Sequence, residues 1–425
     1  MTETVEMAVY KEPAEREKAL NSFMDAPVED SPVVEAVKKI ADKVKNHGDA
    51  ALIDLAHQFG DQLPEGFKLT PEQVQQAVER LPEARKQVLS AAADNIRAFN
   101  QAIMQNMKPV VLDQGEFQVG VDYHPVETVA CYVPGGKFPL PSTALMTAVT
   151  AQVAGVQTID LTGPSLTDEV IYAGTLAGVR DFYQLGGAQA IAAFAYGTES
   201  VSKVDMVVGP GNAYVTEAKR QLQGLIGIDM LAGPSEVAII ADKTANAQWV
   251  AVDMLGQMEH GPDSRAFLVT DSSELVESVQ QFLQSELASS DSKYLADAFK
   301  NSALFLCDSL DECAQIVNRL APEHLELLLE QPDELKKQLT HYGSLFMGHY
   351  ATVAMGDYAA GPNHTLPTNQ TARFSGGLNP LTFLRSHTWT KAMTPAGQLG
   401  ETTRQFAEIE GLYFHGRSVA LRQVK

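Results

Sequence analysis

Gln257 and His260 stand three residues apart in Asp253-Met-Leu-Gly-Gln257-Met-Glu-His260-Gly-Pro-Asp263. On a helix that spacing projects both from one face, where an amide oxygen and an imidazole can begin a metal site. Two ligands do not close one, because structural zinc takes four protein ligands and catalytic zinc three plus water or substrate. Downstream, Ala321-Pro-Glu323-His324-Leu sets a carboxylate beside an imidazole, two groups able to serve as separate acid and base on one reacting centre. Residues 355–368 concentrate Asp357, Asn363, His364 and Thr368 among Gly and Pro with little periodicity, as a functional loop does. Near the end, Glu410-Gly-Leu-Tyr-Phe-His415 adds another carboxylate and imidazole. Gln257, His260, Asp357 and His415 together make an N/O set suited to zinc or a similar divalent ion. Taken singly, each piece has an ordinary reading as well. Gln257 can cap a helix end, His260 and His415 can be surface histidines, 321–325 can be a helix start after proline, and 355–368 can be a structural turn cluster.

These residues need elements to hold them. The helix before Gln257 is expected to begin near Thr244 as N-cap, with Trp249, Val250, Val252, Met254 and Leu255 as its apolar positions, and to stop at Gly261-Pro262. Earlier, Ser31-Pro32 opens a helix with Val33, Val37, Ile40 and Val44 on one face, ended by Gly48. Thr70-Pro-Glu-Gln73 has capping-box spacing, and a longer helix is expected over 83–107. From Phe117 short β-rich runs follow: 128–133, 158–161, 179–185, 206–208, 226–230, 237–240, 267–269 and 303–307, with helical stretches between most of them. That alternation predicts α/β layers with mostly parallel strands. About eight strands exceed one small sheet, so two sheets in related domains are expected. Residues 368–404 carry few strand signals.

Glycine-rich loops follow three strands, at Pro134-Gly-Gly-Lys-Phe-Pro, Gly186-Gly-Ala-Gln189 and Gly209-Pro-Gly-Asn212. Open α/β sheets bind ligands at such places, beyond the carboxyl ends of strands. None is a GxGxxG fingerprint, so ordinary tight turns compete evenly with a binding role, and a dinucleotide would bind without the usual phosphate loop.

The 425 residues suffice for two to three domains. Lys plus Arg number 32 against 53 Asp plus Glu, a net charge of −21, which argues against nucleic acid and anionic membranes as partners. Three cysteines, Cys131, Cys307 and Cys313, lack metal or redox spacing and suggest a reducing compartment. Neither a signal segment nor a run of membrane-spanning length is evident. A cytoplasmic location is expected.

Ten stretches in order resemble the histidinol dehydrogenase family. They are Tyr132-Val-Pro-Gly-Gly136, Pro141-Ser-Thr143, Gly187-Ala-Gln189-Ala-Ile, Gly209-Pro-Gly-Asn212, Ala232-Gly-Pro-Ser235-Glu236, Gln257-x-Glu-His260, Ala321-Pro-Glu-His324-Leu, Gly356-Asp357-Tyr, Asn363-His364-Thr-Leu-Pro-Thr and Glu410-Gly-Leu-x-x-His415. The resemblance implies an enzyme that oxidises L-histidinol through the aldehyde to L-histidine, reducing two NAD, in the last steps of histidine biosynthesis. It implies one Zn2+ per subunit on Gln257, His260, Asp357 and His415, with Glu323 and His324 as the catalytic pair. Ser235, His324, Asp357, His364 and Glu410 would contact substrate beside the metal ligands Gln257, His260 and His415. Tyr132, Gln189 and Asn212 would contact NAD. Family members are homodimers whose C-terminal segment reaches the partner's site. The expected fold is α/β, with two Rossmann-like, duplicated domains and small terminal extensions. On that expectation 1–28 is an N-terminal arm and 29–130 with 236–378 forms the zinc and catalytic domain. Residues 131–235 are the inserted NAD-binding domain, and 379–425 is an extension to the partner subunit.

Three stretches depart from the usual family pattern: Lys137-Phe138, Ser375-Gly-Gly-Leu378 and Arg385-Ser-His-Thr-Trp389. Related dehydrogenases for other small alcohols, among them 2,3-dihydroxypropane-1-sulfonate 3-dehydrogenase, carry similar Gly-Gly-Leu and Thr-Trp features. The departures leave the metal and catalytic motifs untouched and bear on the substrate.

Overall fold

The computed structural model describes residues 7–24, 31–59, 66–135, 139–289, 295–395 and 397–423. Lys137 and Phe138 lie outside the described residues, as do residues 1–6 and 25–28 of the expected N-terminal arm. Two parallel sheets organise the chain. The first runs Asp181–Gln184, Thr158–Gly163, Thr128–Tyr132, Met206–Val208, Gly227–Ile228. Numbered along the chain, that is 3-2-1-4-5, the order of doubly wound dinucleotide-binding folds. The second runs Ala8–Tyr10, Ala303–Leu306, Arg265–Thr270, Glu236–Ala241, His324–Leu328, Ser344–Met347. Without its N-terminal edge strand it is 3-2-1-4-5 again. The expectation of two Rossmann-like domains holds, and their shared order gives the duplication a concrete form.

Side-chain alternation explains why each sheet is covered on both faces. In Thr128–Tyr132, Val129 and Cys131 enter one core while Ala130 and Tyr132 enter the other. In Glu236–Ala241, Val237, Ile239 and Ala241 face one core, and Ala238 and Ile240 the opposite one. Period-two burial on both sides is what an interior parallel strand requires.

Three stretches of the expected division are placed by their packing. Residues 29–130 pack chiefly on the first sheet, with Asn95 also donating to the Ala359 carbonyl at 2.9 Å. Val33, Val37, Ile40 and Val44 bury against the helices Gly187–Tyr196 and Ala213–Leu222, and Ala77, Ala93 and Ile96 against Pro141–Ala154. All of these cover the first sheet, of which Thr128–Tyr132 is the central strand. The arm, where described, is built into the second sheet: Ala8–Tyr10 pairs with Ala303–Leu306, and buried Arg16 bonds the Leu306 carbonyl (2.6 Å) and Glu312 (2.7 Å). Finally, 368–404 holds a nine-residue strand, Leu384–Ala392, antiparallel to Phe117–Pro125. It is mostly exposed, so it lacks the apolar alternation that betrays a half-buried strand.

Smaller differences follow from capping. Gly48, at φ 52°, breaks the long helix Ser31–Phe59 without ending it. The capping box at Thr70 and Gln73 is present. The helix bearing Gln257 is Ala247–Met258, and its N-cap is Asn246, which accepts from the amides of Gln248 and Trp249. Thr244 instead donates its hydroxyl to Asp242. Trp249 and Val252, expected in the core, are exposed; Ala251 and Met258 take their place. Among the described residues no helix is long and apolar enough to cross a membrane.

Candidate active site

Ser235, Glu236, Glu323 and His324 meet at the amino ends of two adjacent strands of the second sheet, where His324 is in register with Val237. Glu323 and His324 do not begin a helix. Ala321 ends the helix Leu310–Leu320 in the left-handed region (φ 47°), and Pro322 turns the chain into the strand His324–Leu328. A non-glycine residue at positive φ just before Glu323 and His324 is local strain of the kind that collects at functional sites.

Glu323 Oε2 accepts from the Ser235 hydroxyl at 2.7 Å and from the Glu236 amide at 2.9 Å. The Gln257 amide nitrogen in turn donates to Ser235 Oγ, leaving its oxygen, the end suited to a cation, for another partner. His324 Nδ1 lies 3.1 Å from the Glu236 carbonyl. A carbonyl only accepts, so Nδ1 carries a proton. The opposite nitrogen, Nε2, is buried without a hydrogen-bond partner, with Asp357 Oδ1 at 3.5 Å. Burial alone would lower the His324 pKa. The carboxylates of Glu323 and Asp357 beside it outweigh that and raise the group to about 10. Burial pushes Asp357 up, but His324, His364 and His260 hold its carboxyl below the usual range. His364 donates from Nδ1 to the Asp357 carbonyl (3.0 Å), with Thr143 Oγ1 3.2 Å from its Nε2. Burial is the main reason its pKa is lowered.

Thr143 sits in the first turn of Pro141–Ala154, a helix of the first domain, so the site lies where the two domains meet. Asn363 reinforces the junction by donating to the Met146 carbonyl at 2.7 Å, and the Gly233 amide donates to Thr368 Oγ1 at 2.6 Å. Gln257, His260, Asp357, His324, His364, Ser235 and Glu323 are thus brought into one neighbourhood. Glu410 and His415 are not. Both are exposed, on or beside the C-terminal helices Gln398–Ile409 and Tyr413–Ala420. Among the described residues no three His, Cys, Asp or Glu side chains converge as a metal cluster. The donors present, an amide oxygen, an imidazole and a carboxylate lowered toward its charged form, suit a borderline divalent ion, with no fourth ligand beside them among the described residues.

A second feature lies at the carboxyl ends of the first sheet. A cavity of about 760 Å³ is lined by Tyr132, Gly186, Gly187, Gln189 and Asn212, with Lys39, Lys43 and Phe59 from the long helix opposite. It takes in all three residues expected to contact NAD. Tyr132 Oη accepts from the Gly187 amide at 3.0 Å. Asn212 caps the helix Ala213–Leu222 with its side-chain oxygen, which leaves its amide nitrogen for a ligand. Gly209 (φ 111°) has no room for a side chain: a Cβ would sit 2.1 Å from the Tyr132 carbonyl. A buried pair holds this turn, Lys219 donating to the Gly209 carbonyl and Asp229 (both 2.5 Å) while Asp229 accepts the Gly209 amide (2.7 Å).

Reading the residues alone missed Thr143, Glu236, Lys219 and Asp229. Thr143 and Glu236 lie inside quoted motifs, but nothing in a threonine or a strand-opening glutamate marks a contact made across a domain junction. Lys219 could have been found as a charge on the apolar face of its helix.

Comparison with known proteins agrees with this geometry. The family model described as histidinol dehydrogenase matches residues 25–423. The histidinol dehydrogenase of Methanocaldococcus jannaschii is 40% identical over 397 residues, covering 92% of each chain. That of Prochlorococcus marinus (strain MIT 9313) is 42% identical over 394 residues, 91% of this chain and 89% of its own. A crystal structure of histidinol dehydrogenase from Elizabethkingia anophelis superposes with a TM-score of 0.91 at 33% identity, covering 98% of both chains. With relatives this similar over nearly the full length, the chain belongs to the histidinol dehydrogenase family and is an oxidoreductase.

Proposed function

We propose that this enzyme oxidises L-histidinol through L-histidinal to L-histidine with two NAD reduced in turn. One observation carries the reading: Glu323 and His324 sit side by side, fixed by different partners, next to Asp357 and His364. Two distinct groups on one reacting centre suit two distinct half-reactions. His324 is held by the Glu236 carbonyl with Nε2 turned toward Asp357, so Nε2 is the atom that takes the alcohol proton as hydride leaves. It must be neutral to do so. Once Asp357 is engaged elsewhere, His324 loses part of the support that keeps it protonated. Glu323, anchored by Ser235 and the Glu236 amide, is the base that draws a proton from water adding to the aldehyde. Gln257, His260 and Asp357, completed by His415, would hold zinc, which supplies a Lewis-acid centre orienting the substrate's amine and ring nitrogen. Zinc has no redox role, so the hydride goes to a nicotinamide. Tyr132, Gln189 and Asn212 in the 760 Å³ cavity are the residues to receive that cofactor, with Ser235, His364 and Glu410 serving the substrate.

Histidinol is favoured over a sulfonated diol by the similarity to histidinol dehydrogenases at 40% and 42% identity; the described departures from the family pattern serve packing. Trp389 lies over Gly120, where a Cβ would come within 2.3 Å of the indole, in the antiparallel pair Leu384–Ala392 and Phe117–Pro125. Leu378 is buried against the first sheet's helices, and a Cβ on Gly377 would meet Leu366 at 2.6 Å. A homodimer with shared sites is favoured by the C-terminal helices, which leave Phe406, Ile409, Tyr413 and Phe414 bare, an apolar surface of the kind that marks association. Purified enzyme given L-histidinol should release two NADH per histidine. Inertness toward histidinol with turnover of another diol would overturn the substrate and keep the residue roles.

A further inference from the structure

Glu326 has no part in the chemistry above, and its place is costly. It is fully buried in His324–Leu328, a strand otherwise apolar after its histidine. Being two residues beyond His324, it projects from the same face. Its Oε1 accepts from the Val353 amide at 2.9 Å. Oε2 is buried with no N–H or hydroxyl donor. The side chain that lies against Glu326 is another carboxyl, Asp253. Asp253 lies four residues before Gln257 on Ala247–Met258, hence on the same helix face, and it neighbours the Thr352 side chain. Thr352 caps the helix Val353–Tyr358, which carries Asp357 in its last turn.

We infer that Asp253 and Glu326 share one proton and act as positioning residues, a clasp joining the elements that carry Gln257, His324 and Asp357. The inference rests on the proposed roles of those three residues. Two carboxyls in contact out of water cannot both be charged. Burial is the main cause raising Asp253 to about 6, and burial followed by the Asp253 charge raises Glu326 to about 8. His324 on the same strand opposes the rise in Glu326; no lysine or arginine among the described residues bridges to either carboxyl. Each partner reaches a different element, so losing the proton sets two like charges between the Gln257 helix and the His324 strand.

The test uses the full-length enzyme loaded with zinc, with Glu326→Gln and Glu326→Leu. Gln keeps an acceptor for the Val353 amide and gives Asp253 a permanent donor; Leu removes both. Glu326→Leu should speed zinc loss to a chelator and lower kcat, each by about 10–100-fold, the usual effect of a residue supporting metal ligands, with KM for NAD unchanged. Glu326→Gln should match the parent at neutral pH. Above about pH 8 the parent should lose zinc faster while Glu326→Gln does not. The thermal midpoint gives a readout independent of metal and substrate. The folded pair holds a proton that the unfolded chain releases above the ordinary carboxylate range. Its stabilisation therefore falls as pH rises from there to about 8, and Glu326→Gln should fall less over that window. Parallel midpoint curves for the parent and Glu326→Gln would overturn the clasp, as would zinc retention and kcat in Glu326→Leu equal to the parent. If the parent takes up no zinc, the metal reading fails, and the midpoint curves still decide the clasp.

Discussion

His324 touches a main-chain carbonyl through one nitrogen and turns the other toward Asp357 at 3.5 Å, whereas Glu323 is gripped by a hydroxyl and an amide. Neighbours in sequence thus have independent anchors, and their substitutions should separate. Glu323→Gln should slow oxidation of the aldehyde more than that of the alcohol. His324→Asn should slow hydride removal in both, by about 10²–10⁴-fold, typical of a general acid or base. Equal effects of Glu323→Gln on alcohol and aldehyde substrates would sink the division of labour. At this scale the sequence was informative where side-chain type states the chemistry: Glu323, His324, Gln257, His260 and Asp357. It was silent on anchors, because Ser235 and Glu236 act through one hydroxyl and main-chain groups that any sequence possesses.

Secondary structure was legible where burial writes a period and obscure where it does not. The interior strands Thr128–Tyr132 and Glu236–Ala241 were visible as short apolar runs. His324–Leu328 was hidden because it opens on a histidine and carries Glu326 at its centre. Leu384–Ala392 was hidden by exposure. Asn246 was passed over as N-cap for Thr244, two residues of equal aptitude that only geometry separates. The Gly209 turn gives a prediction at this level. Gly209→Ala forces a methyl against the Tyr132 carbonyl at positive φ, a strain of roughly 1–3 kcal/mol. A lower thermal midpoint and a raised KM for NAD are expected, with KM for histidinol little changed. Unaltered NAD binding would remove the cavity beside Tyr132 from the cofactor's path.

The two sheets share one strand order but are used from opposite ends. The first offers its cavity at the carboxyl ends, as open α/β sheets do; the second brings Ser235 and His324 together at its amino ends. No sequence pattern announces such a reversal, because strand order and strand direction are settled only when the domains meet. The same limit applies to the tail, which on the proposed reading finds its surface on another chain. If His415 serves the other subunit, mixing Asp357→Ala with His415→Ala should restore about a quarter of wild-type activity. Roughly half of randomly paired dimers are mixed, and each has one intact site. Activity that stays absent in a mixture shown to contain mixed dimers would return the tail to its own subunit. The bare Ile409 and Phe414 then acquire a meaning in terms of mass action. A site assembled from two chains exists only while they are paired, so specific activity becomes a function of enzyme concentration. It should fade on dilution, before any chain unfolds.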